Sequence, residues 1–187
     1  MRVLDDIEAI SWCKQWPLQF EFDSEGLLCA PTEGRTYRVD ISKMSWRDLL
    51  PTARALAHLG CRSTDAFSGG LLWIRRTGIG VPEFEDVVVR SLERFRQGYG
   101  ENRSLESASA HLFRYGESAE CSATLLLVLL AEWDAYFVHS SGDWVAFIDN
   151  DDHITVTTKT AQIGEDLLET LRTWGHTTAQ LAPLKLF

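Results

Sequence analysis

Three short segments rich in β-branched and aromatic residues, 135–139, 144–148 and 154–158, follow one another through the short turns Ser140-Ser141-Gly142-Asp143 and Asp149-Asn150-Asp151-Asp152. Connections that short join antiparallel neighbours, because a parallel return needs a crossover of roughly a dozen residues or more. Any fold of this chain must therefore hold an antiparallel three-stranded unit. Residues 71–74 (Leu71, Leu72, Trp73, Ile74) and 145–148 are apolar on both faces, the pattern of strands covered on both sides. This predicts one sheet containing 71–74 together with the three hairpin strands.

Helical periodicity supplies the cover. Phe84, Val87, Val88, Leu92 and Phe95 form a stripe over 82–97, with acids leading and arginines closing, and Gly98 and Gly100 follow. The leucines of 118–132 run almost continuously, so that helix is expected to be buried on nearly all sides. Ile163, Leu167, Leu168, Leu171 and Trp174 mark a last helix, capped by Gly175. Near the start, Leu4, Ile7 and Ile10 suggest a short helix stopped by Pro17. Leu18, Phe20 and Phe22, then 27–29, then Tyr37, Val39 and Ile41 read as a three-stranded meander. Trp46, Leu49, Leu50, Ala53, Leu56 and Ala57 share a helical face; Pro51 places the regular helix from about Leu50, after a looser turn from Ser45, with Gly60 as its cap. Residues 99–116 read as an irregular connection. The expected order is α-βββ-α-β-α-α-βββ-α, an α+β class with a mainly antiparallel sheet and packed helices. With 187 residues and no linker-like tract, 1–187 is expected to be a single domain.

Charge narrows the partners. Lys and Arg total 18 against 27 Asp and Glu, a formal net charge of -9, which repels phosphates and attracts cations. No nucleic acid is expected as a partner. No membrane span is expected either: the most apolar stretch, 125–131, is far short of the ~20 residues a bilayer needs. Asp5, Asp6 and Glu8 stand where a signal peptide would be apolar, so the expectation is a cytoplasmic protein. Cys13, Cys29, Cys61 and Cys121 are dispersed, without C-x-x-C spacing, and are expected to be buried free thiols.

Motifs for chemistry are sparse. Thr77-Gly78-Ile79-Gly80-Val81-Pro82 between strand and helix resembles a phosphate loop, but Glu83 replaces the third glycine, and Glu83, Glu85 and Asp86 oppose an anion at the helix start. Asp149-Asn150-Asp151-Asp152-His153 is rich in oxygen donors, yet turns demand the same residues and the D-x-D-x-D-G spacing is missing. No metal and no cofactor is expected. His58, His111, His139, His153 and His176 are scattered; His139 and His153, beside Asp151 or Asp152, are the pair a meander brings to one sheet end, where a small hydrolase or transferase would place acid–base groups. Trp133-Asp134-Ala135-Tyr136 and Trp144 interleave aromatics with acids, which suits a surface that holds a basic protein.

The segment from Leu125 through Trp133-Asp134-Ala135-Tyr136 to Phe147-Ile148-Asp149-Asn150-Asp151-Asp152, together with size and acidity, resembles small acidic uncharacterised bacterial proteins, among them immunity proteins that neutralise toxins by binding. That resemblance implies a non-enzymatic, protein-binding module whose acidic surface faces a basic protein partner. The expected binding residues are Glu83, Glu85, Asp86, Trp144, Asp149, Asp151 and Asp152. The alternative is a hydrolase or transferase at the 139–153 hairpins.

Overall fold

The computed structural model describes residues 1–23, 26–31, 34–41, 46–61, 69–76, 82–149 and 153–173. The elements are β1 (Arg2–Leu4), α1 (Asp6–Cys13), β2 (Leu18–Asp23), β3 (Gly26–Pro31), β4 (Arg35–Asp40), α2 (Trp46–Cys61), β5 (Gly69–Arg76), α3 (Pro82–Gln97), β6 (Ala110–Arg114), α4 (Ser118–Leu130), β7 (Asp134–His139), β8 (Trp144–Asp149), β9 (His153–Thr158) and α5 (Ala161–Thr173). Among the described residues they build an α+β fold: a seven-stranded sheet in the order β1-β6-β5-β7-β8-β9-β4 and a separate β2–β3 ribbon. Every described pairing is antiparallel. The four strands expected to share a sheet do so.

Both faces of that sheet are covered. Leu72, Phe137, Ala146, Ile154 and Val156 point to one side, where α2, α3, α4 and α5 supply Leu56, Leu92, Leu125 and Leu167. Their chain neighbours Leu71, Tyr136, Val138 and Val145 point to the other, beneath Ala9 and Cys13 of α1 and Cys29 of β3. Burial of successive residues explains the apolar runs, since in a pleated strand neighbours face opposite ways.

Several local expectations need correction. The N-terminus begins as a strand paired with β6, not as a helix. Asp5 sets the boundary: its carboxylate accepts the Glu8 N–H at 2.8 Å while Glu8 accepts the Asp5 N–H at 3.0 Å, a reciprocal cap that starts α1 at Asp6. The 18–41 segment is not a meander, because β4 leaves β3 and pairs along β9 from Arg35↔Thr158 to Asp40↔His153. Helix α2 starts at Trp46 and carries Pro51 inside it. Burial of Leu49, Ala53, Leu56 and Ala57 outweighs the single backbone bond that proline forfeits. The 99–116 connection contains β6, hidden from pattern reading because inward-facing His111 breaks the apolar signal.

Gly60 lies within α2 and does not cap it; it is there to let the helix approach the sheet. A Cβ at Gly60 overlaps the Phe137 ring, and a Cβ on Gly70 of the neighbouring strand overlaps the same ring from β5. Phe137 is fully buried between them and has nowhere to turn. Replacing Gly60 by Ala gains about 1 kcal/mol of helix propensity but overpacks the core, which costs roughly 1–3 kcal/mol. The clasped ring places Gly60→Ala at the upper end, so urea denaturation should show a net loss of about 1–2 kcal/mol. In a Phe137→Leu background the same change should become neutral or stabilising. A loss of equal size in both backgrounds would refute the clasp.

Candidate functional site

The strand registers decide which polar residues share an end of the sheet. Leu4↔Ala110, Arg76↔Asp134, Ala135↔Ile148, Asp149↔His153 and Asp40↔His153 are all partners at one end. That end carries Asp6, Asp40, Asp134 and Asp149, with the exposed Glu132 just before β7. Asp86 of α3 joins them, since it lines the same cleft as Asp6 and Arg75. Arg2, Arg35, Arg114 and Lys159 fall at the opposite end, where Lys159 pairs with Asp143 at 3.6 Å. The separation is partial: Arg75 and Arg76 stand among these acids, and Asp143 and Glu117 stand with Arg114 and Lys159 at the other end, but the first end carries the larger excess of acids.

At the acidic end, a cleft of about 450 Å³ opens between α3 and the 104–109 segment, lined by Asp6, Asp86, Glu93 and Glu106, with Arg75 as the one basic group among the described lining residues. Asp6 is organised by three donors: Trp73 Nε1 at 2.8 Å, Ser109 Oγ at 3.0 Å and Arg75 Nη1 at 3.1 Å. Asp86 pairs with Arg90 at 3.2 Å, both side chains being about 70% exposed, so water screens the pair. Glu132 has φ 54°, the left-handed region that favours glycine. It closes α4: the Trp133 N–H reaches Val128 O at 3.1 Å and the Glu132 N–H reaches Leu129 O at 3.4 Å, the paired bonds of a helix end usually made with Gly.

A second cleft, about 510 Å³, lies between the β2–β3 ribbon and the β7–β9 face. Asp149 and His153 line it, with His153 Nε2 3.2 Å from Asp149 Oδ2. Arg38 Nη2 stands 3.1 Å from His153 Nδ1. A guanidinium has no acceptor, so Arg38 donates, Nδ1 accepts, and Nε2 carries the hydrogen that faces Asp149. Both ring nitrogens of His153 are engaged.

His139 and His153 do not meet. Val138 pairs with Val145 and Asp149 with His153, which puts the two histidines at opposite ends of the sheet. His139 belongs to its own hairpin turn: Nδ1 accepts from Ser141 Oγ at 2.7 Å and Ser141 N at 3.2 Å, while Ser141 Oγ accepts the Asp143 N–H at 3.2 Å. Burial pushes His139 below its ordinary range and the Asp143 charge opposes this. Trp144, expected on a binding surface, is only 5% exposed, stacked on His139 and edge-on to Phe137. Its indole is core, because even-numbered β8 residues face the helices. Glu83 and Glu85 are on α3 with side chains outside the described residues; Asp151, Asp152 and the 77–81 glycine loop also lie outside them.

Two features had no signal in spacing. The four cysteines are free and buried, and the fold brings them together as neighbouring pairs, Cys13 with Cys29 and Cys61 with Cys121. Contact with Cys29, then burial, pushes the Cys13 thiol up; burial, then contact with Cys61, does the same for Cys121. Arg96 and His111, both wholly buried, meet between α3 and β6. Arg96 donates to Ala108 O at 2.8 Å, while its Nε and Nη1 and both ring nitrogens of His111 have no well-formed hydrogen bond among the described residues.

Among the described residues no set of His, Cys, Asp or Glu is arranged to hold a metal, and no helix is long and apolar enough to cross a membrane. Comparison with protein-family models, curated proteins and solved structures finds no match for this chain.

The His111 site makes a pH prediction. Burial, and then the Arg96 charge, lower its pKa to about 3. An unfolded chain takes up a proton near pH 6.5 that the folded chain refuses, so stability is present above that pH and declines as pH falls toward 3, by about 1.4 kcal/mol per unit. Urea denaturation of wild type and His111→Leu across this window should show a shallower pH slope in the variant. Identical slopes would mean that His111 is protonated in the fold.

Proposed function

We propose that this chain is a non-enzymatic protein-binding module, of the immunity or antitoxin kind, which holds a basic protein partner at the acidic end of its sheet. The observation that supports the reading is the excess of acids at one end: strand order and register collect Asp6, Asp40, Asp134 and Asp149 there, with Asp86 and Glu132 beside them, against Arg75 and Arg76. An excess of acids at this end, in a chain of net charge -9, favours encounter with a cationic surface. Glu132 adds a second argument. Glycine is the relaxed residue at φ 54°, and a strained side chain retained there, exposed among other acids, is what a binding role accounts for.

The hydrolase or transferase reading has less behind it. Its two histidines are a sheet-length apart, His153 has both nitrogens occupied, and the Ser141–His139 contact is a turn whose ring Trp144 covers.

The test uses association kinetics with a decalysine peptide at about 0.01 M and about 0.15 M salt, where the screening length falls from ~30 to ~8 Å. Asp86→Lys combined with Glu132→Lys should slow association by about tenfold at low salt and flatten its salt dependence. Glu165→Lys with Asp166→Lys, on exposed positions of α5, should change it little. Unchanged rate and salt slope in the first variant, with an unchanged melting temperature, would remove the proposal. Glu132→Gly is the companion experiment: it should raise stability by about 0.5–1 kcal/mol while weakening the same association. Loss of stability in that variant would show that the carboxylate is structural.

A further inference from the structure

We infer that the 510 Å³ cleft between the β2–β3 ribbon and the β7–β9 face is a binding site for an ammonium or guanidinium group carried on a short apolar stem. The volume is in the range of small-ligand sites, roughly 300–1,000 Å³. The floor is apolar and aromatic. Tyr136 and Val145 are buried yet line it, and the Phe147 ring stands beside that of Tyr136 with centroids 4.8 Å apart. Along the sheet, Thr36, Thr155 and Thr157 present hydroxyls on one side, and Thr36 Oγ1 lies 3.3 Å from Thr157 Oγ1.

Charge selects the ligand. Among the described lining residues Asp149 carries the formal charge. Arg38 reaches His153 from outside the described lining. The His153 N–H against Asp149 Oδ2 fixes the carboxylate's orientation toward the cleft wall. A cation therefore meets the Asp149 carboxylate beside the partly exposed Phe147 ring, groups of the kind that recognise ammonium and guanidinium, and an anion meets repulsion from Asp149. The site shares Asp149 with the acidic end but does not rest on the protein-binding reading, since a free amine satisfies it as well as the lysine or arginine side chain of a partner.

The test is nuclear magnetic resonance of isotope-labelled full-length protein, titrated with n-butylammonium, with butyrate as the same stem bearing a carboxylate, and with the capped tripeptide acetyl-Gly-Lys-Gly-amide. Butylammonium or the tripeptide should move the Phe147, Thr155 and Thr157 resonances saturably, and butyrate should not. Comparable binding by both cations assigns the site to free amines; binding by the tripeptide alone assigns it to a partner's side chain. Asp149→Asn keeps the shape and removes the charge, and should weaken binding about tenfold or more. Thr155→Leu fills the cleft without altering any charge and should abolish binding; it carries the test if Asp149→Asn fails to fold. Butyrate binding as well as butylammonium, full affinity in either folded variant, or no movement of the three resonances with any probe overturns the site. If Asp86→Lys with Glu132→Lys abolishes cation binding while Thr155→Leu does not, the cations sit at the acidic end, so the cleft proposal fails and the protein-binding reading stands.

Discussion

The packing of Phe137 between two glycines sets the geometry on which the rest of the molecule depends. Its ring projects from β7, near the middle of the sheet, into the layer where α2 and α4 lie, and the space it fills is where side chains at Gly60 and Gly70 would have been. Interiors pack as densely as crystals, so an approach this close is available only where a Cβ is missing. The helix layer is seated by this contact, and with it the connection from α4 through Glu132 and Trp133 into β7. The start of β7 is in turn what brings Asp134 into line with Arg76.

Antiparallel pairing then does something for charge that composition cannot. Each strand reverses its neighbour, so acids at the ends of β4 and β8 and at the start of β7 converge although they are far apart in sequence. Gathering like charges opposes folding, and the molecule offsets part of it locally. Asp6 takes three hydrogen bonds and an arginine, and Asp149 takes the N–H of His153. Arg75 itself lies over the Trp73 ring, 4.5 Å from its centroid, which holds it beside Asp6 and limits how far it reaches across the cleft. Asp86 pairs with Arg90 in the open, where water screens the pair, and Glu132 is exposed.

How much of this was legible varied with the kind of signal. The hairpin strands, β5, α3 and α4 were readable because long periodic runs and short turns leave few alternatives. Strand β6 was not, because both its faces are covered and one inward position is His111, a polar residue tolerated only because burial keeps it neutral. Strand β1 is three residues long and gains its structure from pairing with β6. The separation of β4 from β3 was equally silent, since alternation says that a strand has two faces and nothing about which strand it joins. Asp86 and Asp149 were visible as candidates because turns and helix starts concentrate acids. Trp144 misled because an aromatic beside acids looks the same in sequence whether its face turns outward or, as here, against Phe137.

The amino-acid sequence by itself determined the α+β class, the antiparallel core of the sheet, the main covering helices and the negative net charge. Each follows from periodicity, turn chemistry or simple summation, which act over a few residues or need no geometry. Tertiary structure decided what shares a neighbourhood: the acidic end, the cleft under the β2–β3 ribbon, the separation of His139 from His153, and the pairing of Cys13 with Cys29 and Cys61 with Cys121. Those depend on strand order and register, which are set by how whole faces pack. A one-residue slip in register turns every side chain of a strand to the opposite face, so no local pattern specifies them.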